Sequence, residues 1–115
     1  MSKNHKDQRW VFGKDIEGET TAPGVERRIL AYCGDMMCVE NQFDEGAVGA
    51  VHSHPHTQIT YVASGRFRFT IGDETREVAK GDTLLKQDGV KHGCLCLEKG
   101  ILVDFFTPMR EDFIT

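Results

Sequence analysis

At 115 residues and 12.9 kDa, the chain is long enough for one domain with one hydrophobic core and too short for two. Its formal net charge of -4 disfavours nucleic acid as a partner, because phosphate binding needs a basic face. The apolar runs are too short to span a membrane, and the N-terminal letters MSKNHKDQRW lack the apolar core of a secretion signal. We therefore predict a cytoplasmic protein without a membrane partner.

The four cysteines are predicted to be reduced thiols. They are Cys33, Cys38, Cys94 and Cys96, and without a secretion signal an even count does not indicate a disulfide framework. Cys94 and Cys96 are two positions apart in a predicted strand, which places them poorly for a mutual bridge. We expect them to behave as small, buried apolar side chains.

Short alternating stretches separated by turns dominate the chain, and long helical periodicity is missing from the sequence. In the first thirty residues, RWVF (9–12) and ERRILAY (26–32) are candidate strands, at a sheet edge or in a dimer contact. The letters RFRFTI (66–71) alternate Phe with Arg, which predicts a half-buried strand, and the IGDET that overlaps its end predicts a hairpin. Further strands are predicted at 36–43, at 58–64 ending at Gly65, at 83–86, and at 93–98 and 101–106 on either side of a turn at Lys99 and Gly100.

Roughly eight short strands at regular spacing predict an antiparallel sandwich or barrel. The edge strands of a half-open barrel need cover, and an N-terminal strand exchanged or paired in a homodimer would supply it. We therefore predict an N-terminal extension over residues 1–30, a barrel over residues 31–115, and a homodimer.

The segment HSHPHTQ, from His52 to Gln58, holds three of the five histidines. In a strand, the spacing of two sends His52 and His54 to the same face, and a residue four positions later can fold back after the bend at Pro55. Imidazole binds Zn, Ni, Fe, Mn and Cu alike. Such a site needs a ligand from elsewhere. Spacing alone leaves open a metal site or a solvated turn.

Other histidines are the candidates for that distant ligand. His92 lies in DGVKHG, a turn that leads into a predicted strand, so it can reach back into a barrel. His5 lies in the polar N-terminal segment, and His56 follows Pro55 and is predicted to face solvent at the bend.

Two segments resemble the paired motifs of the cupin family. Gly46-x5-His52-x-His54-x3-Gln58-x6-Gly65 is similar to the first motif, which usually has Glu at the Gln58 position. Gly81-x5-Gln87-x-Gly89-x2-His92-x3-Cys96 is similar to the second, which usually has Pro at the Gln87 position and Asn at the Cys96 position. The resemblance implies an all-β fold, the cupin double-stranded β-helix, a small jelly-roll barrel.

The resemblance also implies one divalent transition metal, which is Ni, Fe, Mn, Zn or Co. Its implied ligands are His52, His54, Gln58 and His92. With Gln in place of Glu, the ligand set is neutral and the ion keeps its full charge, which favours an anionic oxygen ligand and opposes oxidation of the metal. The alternative is a decayed site in which Gln58 only caps a turn. Cys94 and Cys96 share the strand parity of His92, so a thiol near the metal is a further alternative.

The C-terminal letters LVDFFTPMREDF, residues 102–113, form a second candidate site. Asp104 and Phe106 have the same strand parity, and Arg110 follows Pro108 in a loop. A carboxylate can move protons, an aromatic ring can contact a sugar face, and Arg can hold a carboxylate with two hydrogen bonds. The alternative is a surface Arg110 paired with a neighbouring acid, and an aromatic ring that closes the core.

This ending, the Gln ligand and the letters GVERR resemble a branch of single-domain cupins that includes unsaturated-pyranuronate lyases of pectin degradation. The resemblance implies a small anionic sugar acid as substrate, with ring opening of 4,5-unsaturated uronates to linear 5-keto-4-deoxyuronate. It implies Asp104, Phe106 and Arg110 as the catalytic residues. The alternatives are a metal-binding cupin that senses or stores a small molecule and, less favoured, a cupin dioxygenase.

Overall fold

The computed structural model describes residues 3–115 and arranges eight β-strands in one antiparallel network. The strands are β1 (Glu19–Ala22), β2 (Val25–Tyr32), β3 (Met37–Phe43), β4 (Val48–His52), β5 (Thr57–Ile71), β6 (Glu74–Ala79), β7 (Thr83–Lys86) and β8 (His92–Thr107). Two short 3₁₀ helices lie at Gly13–Asp15 and Glu111–Phe113. Within the described range, no helix has the length and apolarity that a membrane crossing requires. The predicted all-β class is confirmed.

The two long strands β5 and β8 are the centre of the fold, and they pair with each other from end to end. The first half of β5 also pairs with β7, and the second half with β6. The first half of β8 also pairs with β4, and the second half with β3, which β2 and β1 follow in order. Each long strand therefore contributes to two sheets, and the core lies between them.

A pair of glycines lets β5 and β8 cross closely where the two sheets meet. A Cβ atom on Gly65 would lie 2.6 Å from the main-chain oxygen of Lys99, and one on Gly100 would lie 2.2 Å from that of Ser64. The predicted strand ends at Gly65 and at the Lys99–Gly100 turn are wrong. The glycines bend both strands without ending them, because the missing side chains leave room for the neighbouring main chain.

The residues between the sheets alternate with exposed ones, as the period of a strand requires. Phe67 and Phe69 are buried and Arg66 and Arg68 are exposed, and β6 follows after a tight turn, so the predicted hairpin is confirmed. Phe67 has no exposed surface and meets the ring of Phe43 edge to face at 5.4 Å. Removing such a ring costs about 3–5 kcal/mol of unfolding free energy.

The N-terminal segment differs from its prediction. Residues 9–12 form no strand, and Trp10 and Phe12 are exposed. His5 lies half-buried against β2, with its Nε2 3.0 Å from the main-chain oxygen of Ile29 and its ring 5.2 Å from that of Tyr32. β2 is confirmed as a strand and pairs with β3. The domain boundary near residue 30 and the homodimer stay predictions.

Candidate metal centre and active site

Three histidines from three positions in the chain meet at one end of the barrel. His52 ends β4 and lies opposite His92, which begins β8. His54 lies beyond the strand, so the same-face argument from strand spacing is wrong for it, and the turn at Pro55 brings it back instead. One ring nitrogen from each of the three lies within 4.8 Å of the others.

Each of these imidazoles is oriented by a hydrogen bond from its Nδ1–H to a main-chain oxygen two residues away. The acceptors are Ala50 for His52 at 2.8 Å, His56 for His54 at 3.1 Å, and Val90 for His92 at 3.1 Å. A proton on Nδ1 leaves Nε2 with its lone pair exposed, which is the form of histidine that binds metals. The three side chains therefore present acceptors to a common point.

The Nε2 atom of His92 shows what this point requires. It is buried and has no hydrogen-bond partner among residues 3–115. Burial lowers the pKa of His92 to about 4, so the ring is neutral at pH 7. A buried acceptor without a donor is costly unless a cation or a water meets it.

Gln58 adds a fourth acceptor to the same point. Its Oε1 lies 2.9 Å from Nε2 of His54, and its Nε2 donates to Oδ1 of Asp104 at 2.8 Å. A carboxylate only accepts, so the bond to Asp104 fixes the amide with its oxygen towards the histidines. His54 already donates from Nδ1 to a carbonyl, and burial lowers its pKa, which disfavours a second proton.

The lone pairs of His54 and Gln58 therefore face each other, and a cation between them resolves the conflict. The 2.9 Å between Nε2 of His54 and Oε1 of Gln58 would allow both atoms to hold one ion. Imidazole nitrogens and an amide oxygen suit the divalent transition metals. The residues present fit the divalent metal that the cupin resemblance implied.

The same geometry explains why position 58 is an amide. One end of the side chain faces the metal site and must accept, whereas the other end faces the Asp104 carboxylate and must donate. A glutamate would place two carboxylate oxygens at the 2.8 Å now spanned by the hydrogen bond, where like charges repel strongly. Gln58 and Asp104 therefore match each other chemically.

Asp104 is buried and bonded at both oxygens. Besides Gln58, Thr60 lies 2.5 Å from Oδ1, and Nδ2 of Asn41 donates to Oδ2 at 2.8 Å. Thr60 and Asp104 are direct partners in the β5–β8 register. Lys86 lies beside them, with Nζ donating to the hydroxyl oxygen of Thr60 at 2.6 Å. The network is a continuous chain of hydrogen bonds from the metal site to a buried ammonium.

The polar composition of the interior singles out this region. Five polar or charged side chains are buried among residues 3–115, and all five belong to the histidine cluster or to this network: Gln58, Thr60, Lys86, His92 and Asp104. Polar groups are expensive to bury unless they are bonded. Their concentration in one place of an otherwise apolar core indicates a functional site.

A cavity of about 370 Å³ opens onto the metal site and the Asp104 network. Its lining includes Lys86, Asp104 and Phe106 from the barrel, and Arg110 and Phe113 from the C-terminal segment. The guanidinium of Arg110 stacks over the rings of Phe106 and Phe113, at 5.1 Å and 4.3 Å from their centroids. The volume and the cations suit one small, anionic molecule.

The Arg110 guanidinium is already paired in the structure. Its Nε and Nη2 donate to the two carboxylate oxygens of Asp112 at 3.0 and 2.8 Å. These bonds lower the pKa of Asp112. Asp112 is exposed whereas Arg110 is largely covered. The pairing with a neighbouring acid that sequence analysis left open is therefore present, on the same residue that faces the cavity.

The seven site residues predicted from the sequence thus lie together. Six of them line the cavity: His52, Gln58, His92, Asp104, Phe106 and Arg110. The seventh, His54, contacts Gln58 and the ring of Phe106. The prediction that His56 faces solvent is wrong. It is half-buried, with its Nε2 3.2 Å from the main-chain oxygen of Met109. Within the described part of the chain, the metal-type cluster includes neither Cys94 nor Cys96.

The cysteines are free thiols. Cys96 lies in the core, where Sγ donates to the main-chain oxygen of Glu98 at 3.1 Å. Cys94 lines the cavity, and burial raises its pKa to about 11, so it stays protonated at neutral pH.

Sequence analysis missed three members of the network: Asn41, Thr60 and Lys86. The strand pattern could have indicated two of them. Thr60 lies on the same face of its strand as Gln58, and Lys86 lies on the same face as the buried Leu84. A lysine on the apolar face of a strand predicts a buried cation. Asn41 faces inward from β3, two residues before the buried Phe43.

Comparison with known proteins identifies a matching family model and a similar pectin degradation protein. The cupin domain model matches residues 40–103. The pectin degradation protein KdgF of Dickeya dadantii (strain 3937) is 36% identical over 109 residues, which are 93% of this chain and 99% of that protein.

Two solved structures match nearly the whole chain. An RmlC-like cupin from Shewanella frigidimarina NCIMB 400 has a TM-score of 0.89 at 37% identity, covering 92% of this chain and 96% of that one. KdgF from Halomonas sp. has a TM-score of 0.87 at 34% identity, covering 90% and 96%. The predicted cupin barrel and the predicted resemblance to the pectin-degradation branch are both confirmed.

Proposed function

This chain belongs to the cupin family, and from that premise we propose that it is a metal-dependent enzyme that opens the ring of 4,5-unsaturated uronates to linear 5-keto-4-deoxyuronates. The observation that carries the proposal is the Gln58 amide, which joins the metal-type cluster to the Asp104 carboxylate through its two ends. A metal-binding group and a proton acceptor are thereby held side by side at one cavity. The substrate class, a sugar acid from pectin, is supported by the names of two relatives, the pectin degradation protein KdgF of Dickeya dadantii and KdgF of Halomonas sp..

The ligands in this proposal are His52, His54, Gln58 and His92. When bound, the metal supplies a Lewis acid that holds and polarises oxygen atoms of a substrate. The ligand set is neutral, since burial keeps His92 unprotonated and Gln58 carries no charge. The centre therefore favours an acidic ligand such as a uronate.

Asp104 is the proton carrier in this proposal, and counting hydrogen bonds assigns the reactive atom. Oδ1 accepts from Gln58 and from Thr60, whereas Oδ2 accepts from Asn41 alone. A carboxylate oxygen has two lone pairs, so Oδ2 has one acceptor position left. Oδ2 takes the proton of the anomeric hydroxyl, whose oxygen forms a double bond to C1. The bond between C1 and the ring oxygen breaks, and its electron pair stays on the ring oxygen, which leaves an enolate.

The product follows when this enolate becomes a ketone. The proton held at Oδ2 returns to the substrate at C4, so the reaction is balanced without any outside reagent. One carboxylate that takes and returns one proton is sufficient for an isomerisation of this kind. The apolar rings of Phe106 and Phe113 exclude water from the open intermediate.

Arg110 binds the uronate carboxylate in this proposal. A guanidinium holds a carboxylate with two parallel hydrogen bonds, and Asp112 now occupies that position. The substrate carboxylate replaces Asp112, which is exposed and can turn to solvent. The stacking of Arg110 on Phe106 and Phe113 keeps the guanidinium at the cavity while the partner changes.

The test is the ultraviolet absorbance of the conjugated double bond in unsaturated galacturonate, which disappears as the ketone forms. Metal-loaded protein is expected to remove the absorbance, and chelator-treated protein is expected to leave it unchanged until metal is restored. Loss of absorbance should be matched by the linear keto product in the NMR spectrum. Absorbance that persists while elemental analysis shows bound metal would rule the activity out.

A second candidate is a binding cupin that holds an acidic ligand without converting it. The Arg110–Asp112 pair favours this candidate, because an anion that replaces Asp112 changes the conformation of the exposed C-terminal residues. Such a protein would show a higher melting temperature with uronate by mass action. The ligand would be recovered unchanged, whereas the enzyme returns the keto product.

A further inference from the structure

Lys86 is a buried cation that the proposed reaction has not yet used. It lies on β7 opposite Gln58 and has 2% of its surface exposed. No carboxylate oxygen of residues 3–115 lies within 4.0 Å of its ammonium. Its contacts are the hydroxyl of Thr60 at 2.6 Å and the face of the Phe69 ring at 4.6 Å. A buried ammonium needs a nearby negative charge.

The proton on Thr60 can be placed by elimination. An ammonium only donates, so the Thr60 oxygen accepts from Lys86. The amide nitrogen of Gln58 also donates to it, at 3.3 Å. The hydroxyl proton must then point to the remaining neighbour, Oδ1 of Asp104, at 2.5 Å. Lys86 and Asp104 are therefore linked through one hydroxyl.

We propose that Lys86 is a positioning residue that acts through Thr60 to hold the Asp104 side chain in place, with one acceptor position of Oδ2 open to the substrate and Oδ1 fixed on the Gln58 amide. This inference rests on the proposed function and extends it to two residues outside the metal ligands and the Asp–Phe–Arg set. A direct contact between Lys86 and Asp104 would occupy a lone pair on the carboxylate. The hydroxyl bridge brings the Lys86 cation near Asp104 and leaves Oδ2 with Asn41 as its single donor.

The bridge also reaches the metal site. With a charged carboxylate at Oδ1, the Gln58 amide has one stable orientation, with its oxygen towards His54. Without the Thr60 hydroxyl, Asp104 loses a donor, and without Lys86 the hydroxyl loses the donor that orients it towards Asp104. The carboxylate and the amide then lose their fixed orientation together, and a small displacement of a reacting group is costly in rate.

The experiment compares Lys86→Met, Thr60→Val and Thr60→Ser. Thr60→Val keeps the volume and removes the hydroxyl, and Thr60→Ser keeps the hydroxyl. Thr70→Val is the matched control, because Thr70 lies on the same strand and bonds only the hydroxyl of Thr75. Lys80→Met, at an exposed site in the β6–β7 turn, controls for loss of a charge.

The kinetic readout is kcat and KM on unsaturated galacturonate, with metal content measured on the same samples. Lys86→Met and Thr60→Val are expected to lower kcat about 10- to 100-fold while metal content is kept and KM changes by less than about threefold. Thr60→Ser and both controls are expected to stay near the wild type. A kcat within about twofold of the wild type for Thr60→Val overturns the inference, as does equal loss in Thr60→Ser.

The second readout is independent of activity. In Zn²⁺-loaded protein labelled with ¹⁵N, the side-chain amide signals of Gln58 are identified by their loss in Gln58→Glu. They are expected to move in Lys86→Met and Thr60→Val, and to stay in place in Thr70→Val. If wild-type protein is inactive but these signals move, the proposed reaction fails and the positioning role stands. Unmoved signals overturn the positioning role even if the enzyme is active.

Discussion

Replacing Asp104 by Asn is the sharpest test of the proton carrier, because the structure separates its effect on chemistry from its effect on structure. The asparagine carbonyl can occupy the Oδ1 position and still accept from Gln58 and Thr60. Its NH2 group then occupies the Oδ2 position and can donate to Asn41, whose amide can turn to present its oxygen. The variant keeps the network and removes the acceptor that faces the substrate.

The magnitudes follow from the bonds involved. Loss of a general base lowers kcat about 10²–10⁴-fold, which is about 3–5 kcal/mol of activation free energy. The three hydrogen bonds to Asp104 become neutral, at a cost of about 1 kcal/mol each. We therefore expect the free energy of unfolding to fall by about 3 kcal/mol and Tm by about 10 °C.

The assay combines the absorbance of unsaturated galacturonate, elemental analysis and calorimetry on metal-loaded protein. Metal content should equal that of the wild type, because Gln58 keeps its partner. Asp104→Leu is the contrasting variant, since it leaves the amide of Gln58 and the hydroxyl of Thr60 without an acceptor, and it should lose both stability and metal. An Asp104→Asn enzyme with more than about one tenth of the wild-type kcat would falsify the assignment of Asp104 as the proton carrier.

Three further changes test other parts of the site. Gln58→Glu puts two carboxylates at the 2.8 Å now spanned by the bond to Asp104, a repulsion of about 6 kcal/mol at an effective dielectric constant of about 20. We expect Glu at position 58 and Asp104 to share one proton at pH 7, kcat to fall and metal to be retained. A crystal structure with both side chains unmoved, together with a wild-type kcat, would contradict this. Asp112→Asn removes the carboxylate that competes with substrate for Arg110. The KM for the uronate should therefore fall about threefold to tenfold, with kcat little changed. A raised KM would mean that Asp112 helps to bind substrate. Burial raises the pKa of Cys94 to about 11, and only the thiolate reacts with iodoacetamide, so Cys94 should react about 100-fold more slowly at pH 8 than a thiol with a pKa near 9. The rate should rise with pH up to about 11. Mass spectrometry of the alkylated peptide measures this rate, and fast labelling at pH 8 would contradict the burial.

Sequence analysis found the parts of the fold that local pattern determines. The alternation of Phe and Arg in residues 66–69 sufficed for a hairpin, because each side chain's environment follows from its parity. The ends of β5 and β8 could not be found in this way. Gly65 and Gly100 look like turn residues in isolation, and only their contact with each other shows that they let two long strands bend.

The site residues likewise fall into those that local pattern predicts and those that depend on contacts between distant strands. The spacing of the histidines and the cupin resemblance were sufficient to predict the three imidazoles and Gln58, and the C-terminal pattern to predict Asp104. The reason for an amide at position 58 could not be predicted, because it depends on a carboxylate forty-six residues further along the chain. Lys86 was overlooked because a lysine in a short strand is usually exposed, and the pairing of β7 with β5 decides otherwise.

The shared strands have a consequence for the protein without metal. Gln58 and Thr60 lie on the same strand as the fully buried Phe67, and Asp104 lies on the other long strand. A main-chain amide in a strand exchanges its hydrogen with water only when the ladder opens, and opening β5 from β8 separates the core. The amides of these site residues should therefore exchange as slowly as those of the core. A metal would then meet a cradle whose Gln58 side is already rigid, and His54 would be the ligand held by a loop rather than by a strand.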